Sequence, residues 1–403
     1  MDKLIIPHRL TGSVTAPPSK SEAHRLLIAA ALSKGRSVIT GLSRSQDILA
    51  TAGAMEAFGA KIVFDGTTAV VDGIVSPPES ASVDCGESGS TLRFLIPVAA
   101  ALGIRTTFIG HGRLPERPIN AYLDELPKHG AEFIYNGTMP FTVTGKLRPG
   151  EYRMPGNVSS QYITGLVFAL TLLREDSRIT MTSRLESKPY VDITADVLSR
   201  FGASVEETED GYLVRGGKRL AARNCAVEGD WSQAAFFKVA NSIGNDIVIN
   251  GLNVNSAQGD KKIIEICDEM VYNDKGRPRC FNLDCSDIPD LVPILAVLAS
   301  FCKGRSVIRN VARLRIKESD RLAAMTECLN GIGGRVTAYE DRLEIEGSET
   351  LAGGEADSFG DHRIAMSMAI ASTRCEKPLM IHGAECVSKS YPDFWEVFDR
   401  LGG

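Results

Sequence analysis

The stretch AGAMEAFGAKIVF at residues 52–64 joins the end of an apolar helix to a strand through a Gly-Ala pair. Close variants of this stretch recur at residues 123–135, 195–207, 327–339 and 395–403. The glycines that end the five helices are 71, 72, 131 and 69 residues apart, so the long interval holds two units. Self-similarity at a fixed period is typical of a repeat architecture, and the sequence therefore predicts six units of about 70 residues, with the remaining copy around Met270.

The segments between these glycines follow one pattern. Each has a polar helix start, an apolar helix, a strand such as RSVITGL at residues 36–42, a second helix and a hairpin. The pattern predicts an α/β fold of six βαβαββ repeats, three in each of two domains. The fourth repeat is predicted to be shortened, because only about 20 residues separate Met270 from Asp290, which opens the next unit. Aspartates stand where the second helix should begin in five units, and we expect them to be helix caps: Asp47, Asp192, Asp260, Asp320 and Asp393.

Length and composition exclude several classes of protein. The chain has 403 residues, 43% hydrophobic and 24% charged, with a net charge of −5. A hydrophobic core stops growing near about 250–300 residues, so about two domains are expected. No apolar run reaches the roughly 18 residues of a membrane helix, and a mildly acidic total disfavours bulk nucleic-acid binding. The N-terminal apolar stretch, Leu4–Pro7, is too short for a signal peptide, so we expect a cytoplasmic protein.

The cysteines give no sign of a metal site or a disulfide framework. There are nine, an odd number, scattered along the chain without a C-x-x-C pair. This spacing is typical of small core residues in a reducing compartment. No metal and no organic cofactor are expected.

The first helix of each repeat starts with small, polar and cationic residues. These starts are SKSEAHR (19–25), GESGSTLR (86–93), NVSSQYI (157–163), GDWSQAA (229–235), DIPDLVP (287–293) and GDHRIAM (360–366). A helix N-terminus carries unpaired N–H groups and positive partial charge, so it attracts anions. Because the helices of one domain run in similar directions, their starts are expected to gather at one end of it. Two such ends facing each other would form a cleft for small, highly charged molecules.

Nine short motifs carry a resemblance to a known family. They are PPSKS (17–21) with Arg25, SGSTLR (88–93), Arg113 with RPI (117–119), SSQ (159–161), SKPY (187–190), IPD (288–290), KESDR (317–321), GDHRIAM (360–366) and KSYPD (389–393). In this order, from about Lys3 to Trp395, they resemble the enolpyruvyl transferase family, and within it the members that act on shikimate 3-phosphate.

The resemblance implies a two-domain inside-out α/β barrel. Its lower domain would be discontinuous, residues 1–17 and 229–403, its upper domain residues 18–228, and its active site the cleft between them. The implied reaction transfers the enolpyruvyl group of phosphoenolpyruvate to the 5-hydroxyl of shikimate 3-phosphate and releases phosphate, by addition and elimination through a tetrahedral intermediate. This is a step of chorismate and aromatic amino acid biosynthesis and the target of glyphosate. The implied partners are the two small-molecule substrates, without nucleic acid or membrane, and the implied state is a monomer.

Carried over motif by motif, the resemblance implies two sets of ligand residues. Those for shikimate 3-phosphate are Lys20, Ser21, Arg25, Ser159, Ser160, Gln161, Ser187, Asp290 and Lys317. Those for phosphoenolpyruvate are Lys20, Gly89, Arg113, Gln161, Arg321, Arg363 and Lys389. The cationic members offset the repulsion between the two anionic ligands, which is about 4 kcal/mol for each like-charge pair at about 4 Å and an effective dielectric near 20.

The reaction needs two groups that handle protons. The resemblance implies Asp290 as the base for the attacking hydroxyl and Glu318 as the acid for the methylene carbon. Lys20 and Lys389 would share in proton transfer and stabilise the departing phosphate.

Each of these residues has a structural alternative. Asp290 could cap a helix, and Glu318 could pair with Arg321 three residues later. Lys20 could be a solvated charge at a helix start, and His362 a buried structural histidine. Arg117, which precedes Pro118, is expected to shape its loop.

Some positions depart from the common family pattern. Glu87, Ser90 and Phe94 do so beside the expected phosphoenolpyruvate pocket, and they leave the response to glyphosate open. Glu87 adds negative charge there unless it pairs with Arg113 or another cation. Arg313 stands where the family often carries asparagine and is given no role.

Three other functions compete with this one. UDP-N-acetylglucosamine enolpyruvyl transferase usually carries a cysteine five residues before the arginine of the R-P pair, where this chain has Gly112. A non-catalytic anion-binding repeat protein would not need Asp290 and Glu318. RNA 3′-phosphate cyclisation on a similar repeat fold would want a nucleotide site and a basic face, and the sequence shows neither.

Overall fold

The architecture is that of a computed structural model, which describes residues 1–270 and 277–403. The chain divides into two compact units. The continuous unit is Pro18–Glu228, and the discontinuous unit combines Met1–Pro17 with Gly229–Gly403.

Both units alternate helices and strands. The helices are α1 (Lys20–Leu32), α2 (Gln46–Ala57), α3 (Gly89–Leu102), α4 (Asn120–Glu125), α5 (Ser160–Thr171), α6 (Lys188–Arg200), α7 (Trp231–Ser242), α8 (Ile263–Glu265), α9 (Val292–Phe301), α10 (Arg321–Gly331), α11 (His362–Ser372) and α12 (Phe394–Leu401). The strands are β1 (Lys3–Ile5), β2 (Thr11–Thr15), β3 (Arg36–Thr40), β4 (Lys61–Asp65), β5 (Thr68–Asp72), β6 (Ser80–Asp84), β7 (Arg105–Ile109), β8 (Ala131–Ile134), β9 (Phe141–Gly145), β10 (Glu151–Met154), β11 (Ser177–Met181), β12 (Val205–Thr208), β13 (Gly211–Val214), β14 (Cys225–Ala226), β15 (Asp246–Asn250), β16 (Asn282–Asp284), β17 (Arg305–Arg309), β18 (Val336–Ala338), β19 (Arg342–Glu346), β20 (Gly354–Asp357) and β21 (Leu379–His382).

The continuous unit contains three four-stranded sheets of the same topology. Their strand orders are β14-β3-β5-β4, β6-β7-β9-β8 and β10-β11-β13-β12. In each sheet the first pair is parallel and the remaining pairs are antiparallel. In the second and third sheets one helix connects the parallel strands, and in all three a helix precedes the hairpin, which confirms the predicted βαβαββ repeat. The first repeat completes its sheet with β14 from the end of the unit.

The discontinuous unit repeats this topology less completely. The sheet β16-β17-β19-β18 is a full copy, whereas in β1-β21-β20 the N-terminal strand β1 pairs antiparallel with β21. The fourth repeat contributes β15, which pairs in parallel with β2 in a two-stranded sheet, followed by the three-residue helix α8. The repeat copy expected around Met270 extends into residues 271–276, which lie outside the described residues.

Apolar helices form the core of each unit. Every residue of α9 is buried, and so are nearly all of α3, α5 and α11. Helix α5 lies so close to α3 that a Cβ on Gly165 would stand 2.3 Å from the carbonyl oxygen of Arg93. A glycine is therefore required at this crossing, because the atom it would meet belongs to the backbone.

Side chains cap the helices that carry the expected site residues. Ser19, Ser88 and Ser159 accept hydrogen bonds from backbone N–H groups in the first turns of α1, α3 and α5. Asp230, Asp320 and Asp361 do the same for α7, α10 and α11. These bonds satisfy part of the unpaired N–H groups that every helix start exposes.

Of the five aspartates predicted as caps, only Asp320 makes a side-chain cap bond. Asp393 stands before α12 without one, and Asp260 lies within a short turn, Gly259–Lys262. Asp47 and Asp192 lie inside their helices and bond lysines instead. The prediction was wrong there because serines, Ser45 and Ser187, occupy the cap positions.

The cysteines follow the expectation with two exceptions. Seven are buried, Cys225 is half-buried and Cys280 is exposed. Burial raises the pKa of the Cys285 thiol to about 12, so it stays protonated. Among the described residues, no helix has both the length and the apolar character needed to span a bilayer.

Candidate active site

Arg321 is the centre of a buried ion cluster in the discontinuous unit. It is the first residue of α10, and its side chain is 2% exposed. Its Nε donates to Asp361 Oδ2 at 2.8 Å, its Nη1 to Asp290 Oδ1 at 3.1 Å and its Nη2 to Glu318 Oε2 at 2.8 Å. Burial by itself lowers the pKa of Arg321, but the three carboxylates outweigh it and raise the pKa. The guanidinium therefore stays charged and orders three carboxylates around itself.

Asp290 is held by a second arginine. It lies in a single helical turn, Pro289–Leu291, just before α9. Its Oδ2 accepts from Arg363 Nη2 at 2.8 Å, and its backbone carbonyl accepts from Arg363 Nη1 at 3.1 Å. Burial raises the pKa of Asp290, but Arg363, Arg321 and Lys317 together lower it well below the usual range. Its carboxylate is thus ionised and bonds arginines, rather than capping a helix.

Lys317 and Glu318 directly follow the helical turn Ala312–Ile316. Arg313 in that turn is buried and donates to the carbonyl of Ser286, which anchors the turn. Burial lowers the pKa of Lys317 to about 7, although the nearby carboxylates of Asp290 and Glu318 act in the opposite direction. Burial thus brings the pKa of this amine much closer to neutral pH than that of an exposed lysine.

Asp361 is a site residue that the sequence analysis missed. It is fully buried, its Oδ1 accepts from the backbone N–H of Arg363 at 2.9 Å, and its Oδ2 accepts from Ser319 Oγ at 3.1 Å. With its two bonds to Arg321 it fixes the inner side of the guanidinium. The signal was present in the motif GDHRIAM, of which only the histidine and the arginine had been considered.

Arg363 and Lys389 complete the group in this unit. Arg363 Nη2 donates to Ser232 Oγ at 3.0 Å, which links the start of α11 to that of α7. Lys389 Nζ donates to the carbonyl of Gly360 at 2.9 Å, one residue before Asp361. His362 is buried beside them. The starts of α7, α9 and α11 thus gather at one place, as the sequence pattern predicted.

In the continuous unit, Gln161 links the starts of α5 and α3. Its Oε1 accepts from Arg93 Nη1 at 2.7 Å, and its Nε2 donates to Ser90 Oγ at 3.0 Å. Arg93 Nη2 also donates to the carbonyl of Pro118 at 3.1 Å, and its guanidinium lies over the ring of Tyr162, 5.2 Å from the centroid. Arg93 was absent from the predicted set, although it closes the motif SGSTLR.

Lys20 pairs with a carboxylate at the start of α1. Its Nζ donates to Asp47 Oδ2 at 2.9 Å, and the two side chains are only 18% and 15% exposed. Lys20 is therefore a partly buried, neutralised cation rather than a solvated surface charge. Asp47 was expected to cap α2, and its part in orienting Lys20 was not predicted.

Arg25 lies beneath the surface of the same unit. Its Nε donates to Thr194 Oγ1 at 2.7 Å, its Nη1 to the carbonyl of Ser21 at 2.6 Å and its Nη2 to Thr164 Oγ1 at 3.2 Å. Burial lowers the pKa of Arg25 to about 9. The guanidinium ties α1 to α5 and α6, and so holds the turn that carries Ser21.

The serines of the predicted set stand at two other helix starts. Ser159 Oγ accepts from the backbone N–H of Gln161 at 3.3 Å, and Ser160 is the first residue of α5. Ser187 precedes α6 in a left-handed backbone conformation, with φ at 57°. These starts place hydroxyl and N–H donors near the positive end of each helix, an arrangement that suits a phosphate.

A buried chain of hydrogen bonds joins α1, α2 and α3. His24 Nδ1 lies 2.7 Å from Thr51 Oγ1, which lies 2.7 Å from Thr91 Oγ1, and that hydroxyl donates to Ser88 Oγ at 2.8 Å. Burial, with a smaller effect of Lys20, holds the pKa of His24 well below its usual value. The histidine is therefore neutral and structural.

The loop between β7 and α4 packs closely on the start of α3. A Cβ on Gly89 would stand 2.5 Å from Arg117 Nη1, so the buried Arg117 shapes this loop, as expected. Gly112 has φ at 55°, and a Cβ there would stand 2.6 Å from Glu87 Oε2. A cysteine at position 112 would be strained by the left-handed backbone and would require the Glu87 side chain to move. Arg113 is half-exposed and pairs with Glu116 at 3.2 Å.

The two groups of residues suit the binding of small polyanions. Each sits at helix starts, combines arginine and lysine, and holds these cations through hydrogen bonds to neighbouring side chains and backbone carbonyls. In residues 1–270 and 277–403, no group of three His, Cys, Asp or Glu side chains is arranged to hold a metal ion.

Comparison with known proteins agrees with this geometry. Residues 5–398 match the family model described as EPSP synthase (3-phosphoshikimate 1-carboxyvinyltransferase). A Clostridium kluyveri protein with the name 3-phosphoshikimate 1-carboxyvinyltransferase is 46% identical over 99% of this chain and 97% of its own length. A Clostridium perfringens protein of the same name is 42% identical over 100% of this chain and 99% of its own length.

A solved structure shares the whole fold. EPSP synthase from Acinetobacter baumannii covers 100% of this chain and 98% of its own, with a TM-score of 0.82 at 28% sequence identity. This neighbour, with the two units of βαβαββ repeats described above, confirms the predicted two-domain inside-out α/β fold. A family match over nearly the whole chain, close relatives and a shared fold lead to one conclusion: the chain belongs to the EPSP synthase (3-phosphoshikimate 1-carboxyvinyltransferase) family.

Proposed function

We propose that the chain transfers the carboxyvinyl group of phosphoenolpyruvate to the 5-hydroxyl of shikimate 3-phosphate and releases phosphate. Membership of the family supports this reaction. The observation that carries it is the cluster in which Asp290 and Glu318 share Arg321, with Arg363 bonded to Asp290. A protein that merely stored an anion would have no need of two ordered carboxylates between arginines.

The residues proposed to bind shikimate 3-phosphate lie mainly in the continuous unit. Its proposed ligands are Lys20, Ser21, Arg25, Ser159, Ser160, Gln161 and Ser187 from that unit, with Asp290 and Lys317 from the other. Hydroxyl and N–H donors at helix starts suit its phosphate, and Asp290 suits its hydroxyls. Arg25 contributes chiefly through the turn of Ser21 that it fixes.

The residues proposed to bind phosphoenolpyruvate come from both units. Its proposed ligands are Lys20, Gly89, Arg113 and Gln161 in the continuous unit and Arg321, Arg363 and Lys389 in the discontinuous unit. Arginine binds planar carboxylate and phosphate groups through two parallel N–H bonds, whereas lysine acts as a point charge. The proposed ligand sets thus include residues of both units.

The proposed chemistry proceeds by addition and elimination. A proton passes from Glu318 to the methylene carbon, while the 5-hydroxyl gives its proton to Asp290 and its oxygen bonds to the neighbouring carbon. In the tetrahedral adduct, the new methyl group then returns a proton to the Glu318 carboxylate, the double bond re-forms and the C–O bond to phosphate breaks. Lys20 and Lys389 stabilise the charge on the departing phosphate. Each proton transfer contributes about 10²–10⁴ to the rate.

This reaction places the protein in chorismate and aromatic amino acid biosynthesis. We propose that it works as a monomer in the cytoplasm, on small-molecule substrates alone.

Phosphate release tests the proposal. The purified protein is mixed with phosphoenolpyruvate and either shikimate 3-phosphate or UDP-N-acetylglucosamine, and inorganic phosphate is measured over time. We expect release with shikimate 3-phosphate only. Phosphate release with the UDP-sugar alone would assign the chain to the competing transferase. No phosphate release with either acceptor would favour a non-catalytic anion-binding protein.

A further inference from the structure

We propose that Thr51 and Thr91 are positioning residues for the reaction, because they carry a directed chain of hydrogen bonds that fixes the start of α3. The chain begins at His24 on α1 and ends at Ser88, the cap of α3. The inference rests on the proposed function, in which Gly89 at this helix start is a ligand of phosphoenolpyruvate. It adds residues outside both proposed ligand sets, which act through the backbone of α3.

Each link of the chain has a fixed donor. Thr91 Oγ1 donates to Ser88 Oγ at 2.8 Å. A hydroxyl group has one hydrogen, so the contact of 2.7 Å between Thr51 Oγ1 and Thr91 Oγ1 uses the hydrogen of Thr51. The contact of 2.7 Å between His24 Nδ1 and Thr51 Oγ1 then uses a hydrogen on Nδ1. The neutral imidazole carries one N–H group, so the chain selects the tautomer of His24 that is protonated at Nδ1.

The chain lies in the interior of the continuous unit. His24 and Ser88 are each 1% exposed, and both threonines are 0% exposed. The ring of His24 also packs edge-on against Phe94 of α3, with the ring centroids 6.3 Å apart. Because a buried hydroxyl that loses its partner destabilises the fold, the four polar side chains favour this one arrangement.

The chain ends in the first turn of α3. Ser88 Oγ also accepts from the backbone N–H of Thr91 at 3.1 Å, so it receives two hydrogen bonds from one residue. Gly89 and Ser90 lie between the two bonded residues, and Ser90 Oγ accepts from Gln161 Nε2 at 3.0 Å. The chain therefore orients a turn that carries one proposed ligand of phosphoenolpyruvate and contacts another.

The backbone at Gly89 has little room to move. A Cβ on Gly89 would stand 2.5 Å from Arg117 Nη1, so movement in that direction requires the buried Arg117 side chain to shift. Helix α1, in contrast, is tied to α6 independently of the chain, since Arg25 Nε donates to Thr194 Oγ1 at 2.7 Å. Breaking the chain is thus expected to displace the first turn of α3 rather than α1.

Steady-state kinetics on matched valine and serine variants test the inference. Thr91→Val keeps the branched shape and removes the hydroxyl, and we expect KM for phosphoenolpyruvate to rise about tenfold, the equivalent of about one hydrogen bond. Both kcat and KM for shikimate 3-phosphate should stay close to wild type, because α1, α5 and α6 keep their places. Thr91→Ser retains the hydroxyl and should retain the wild-type KM. Thr171→Val is the matched control, since this buried hydroxyl donates to the carbonyl of Phe168 within its own helix at 2.7 Å.

Nitrogen-15 spectra of histidine-labelled protein test the direction of the chain without any substrate. The signal of His24, assigned with the variant His24→Gln, should show a protonated Nδ1 and an unprotonated Nε2 at neutral pH. Thr51→Val removes the acceptor of that proton, and the form protonated at Nε2 should then appear. Protonation of His24 at Nε2 in the wild type would overturn the chain.

The kinetic outcomes separate the inference from the function. A KM for phosphoenolpyruvate in Thr91→Val no higher than in Thr171→Val overturns the inference, and so does an equal rise in Thr91→Ser, which would reflect packing rather than the hydroxyl. If Thr91→Val does not fold, Thr51→Val compared with Thr51→Ser gives the same contrast. No turnover by the wild type with both substrates would overturn the proposed function, and the assigned role of the chain with it.

Discussion

At the scale of single residues, the candidate site is organised by ion pairs between buried and partly buried side chains. Arg321 orders three carboxylates, and Lys20 is held by Asp47. Burying a charge without a partner costs several kcal/mol, so these pairings stabilise the buried charges. The charged side chains of the candidate site therefore hold one another in place.

Asp290 should be essential for turnover but not for folding. Asp290→Asn keeps the size of the side chain and removes the proposed base, and we expect kcat to fall by about 10²–10⁴. The far-ultraviolet circular dichroism spectrum should be unchanged. Asp287→Asn, three residues earlier in the same segment, is the control with near wild-type kcat. Full turnover by Asp290→Asn would remove Asp290 from the mechanism.

Lys317 should take up a proton when shikimate 3-phosphate binds. Its pKa of about 7 leaves the amine largely neutral at pH 8. A phosphate nearby favours the charged form and raises the pKa, so binding should take up about one proton at this pH. The uptake is measured by calorimetry in two buffers of different ionisation enthalpy. Lys317→Met should abolish it, whereas Lys303→Met, at an exposed position, should not; equal uptake in all three proteins would show that Lys317 does not titrate.

At the scale of elements, the helix starts carry both stability and function. The cap of α10 is the clearest case, because Asp320 immediately precedes Arg321 and its Oδ1 accepts from the N–H of Ala323 at 3.0 Å. The same turn therefore stabilises the helix and positions the guanidinium at the centre of the cluster.

Removing this cap should destabilise the protein by a predictable amount. Asp320→Ala should cost about 1 kcal/mol, or about 2–4 °C in Tm, while Asp320→Asn should retain most of the cap. Asp393→Ala is the matched control, since Asp393 precedes α12 without a side-chain cap bond. Thermal unfolding of the three variants decides the matter, and equal losses for Asp320→Ala and Asp393→Ala would contradict the assignment.

Local sequence predicted the repeat but not the partners of the charged residues. Glycines such as Gly59 and Gly202 end helices in the left-handed region, with φ at 102° and 90°. Short segments of sequence are therefore enough to predict the βαβαββ pattern. Asp361, Asp47 and Arg93 were missed because their partners lie 27 to 68 residues away in sequence. Such pairs form only when helix starts from different repeats come together. Motifs could locate the site, whereas the pairing inside it required the fold.

At the scale of the whole molecule, the proposed ligand residues are divided between the two units. Lys20 and Gln161 belong to the continuous unit, and Arg321, Arg363 and Lys389 to the discontinuous one. The proposal that one small ligand contacts residues of both units predicts a change in molecular dimensions on binding.

Closure should be visible in solution. Small-angle scattering should show a smaller radius of gyration when shikimate 3-phosphate is added, and a further change with phosphoenolpyruvate. Shikimate, which lacks the phosphate that recruits the cations, should leave the radius unchanged. A constant radius under conditions in which calorimetry shows saturation would count against a hinged molecule.

The central claim is that cations from both units hold the two anionic substrates. A crystal structure with phosphoenolpyruvate and the analogue of shikimate 3-phosphate lacking the 5-hydroxyl tests it most directly. We predict Lys20, Arg321 and Lys389 within hydrogen-bond distance of the ligands. Ligands bound elsewhere, with these three side chains directed into solvent, would contradict the account.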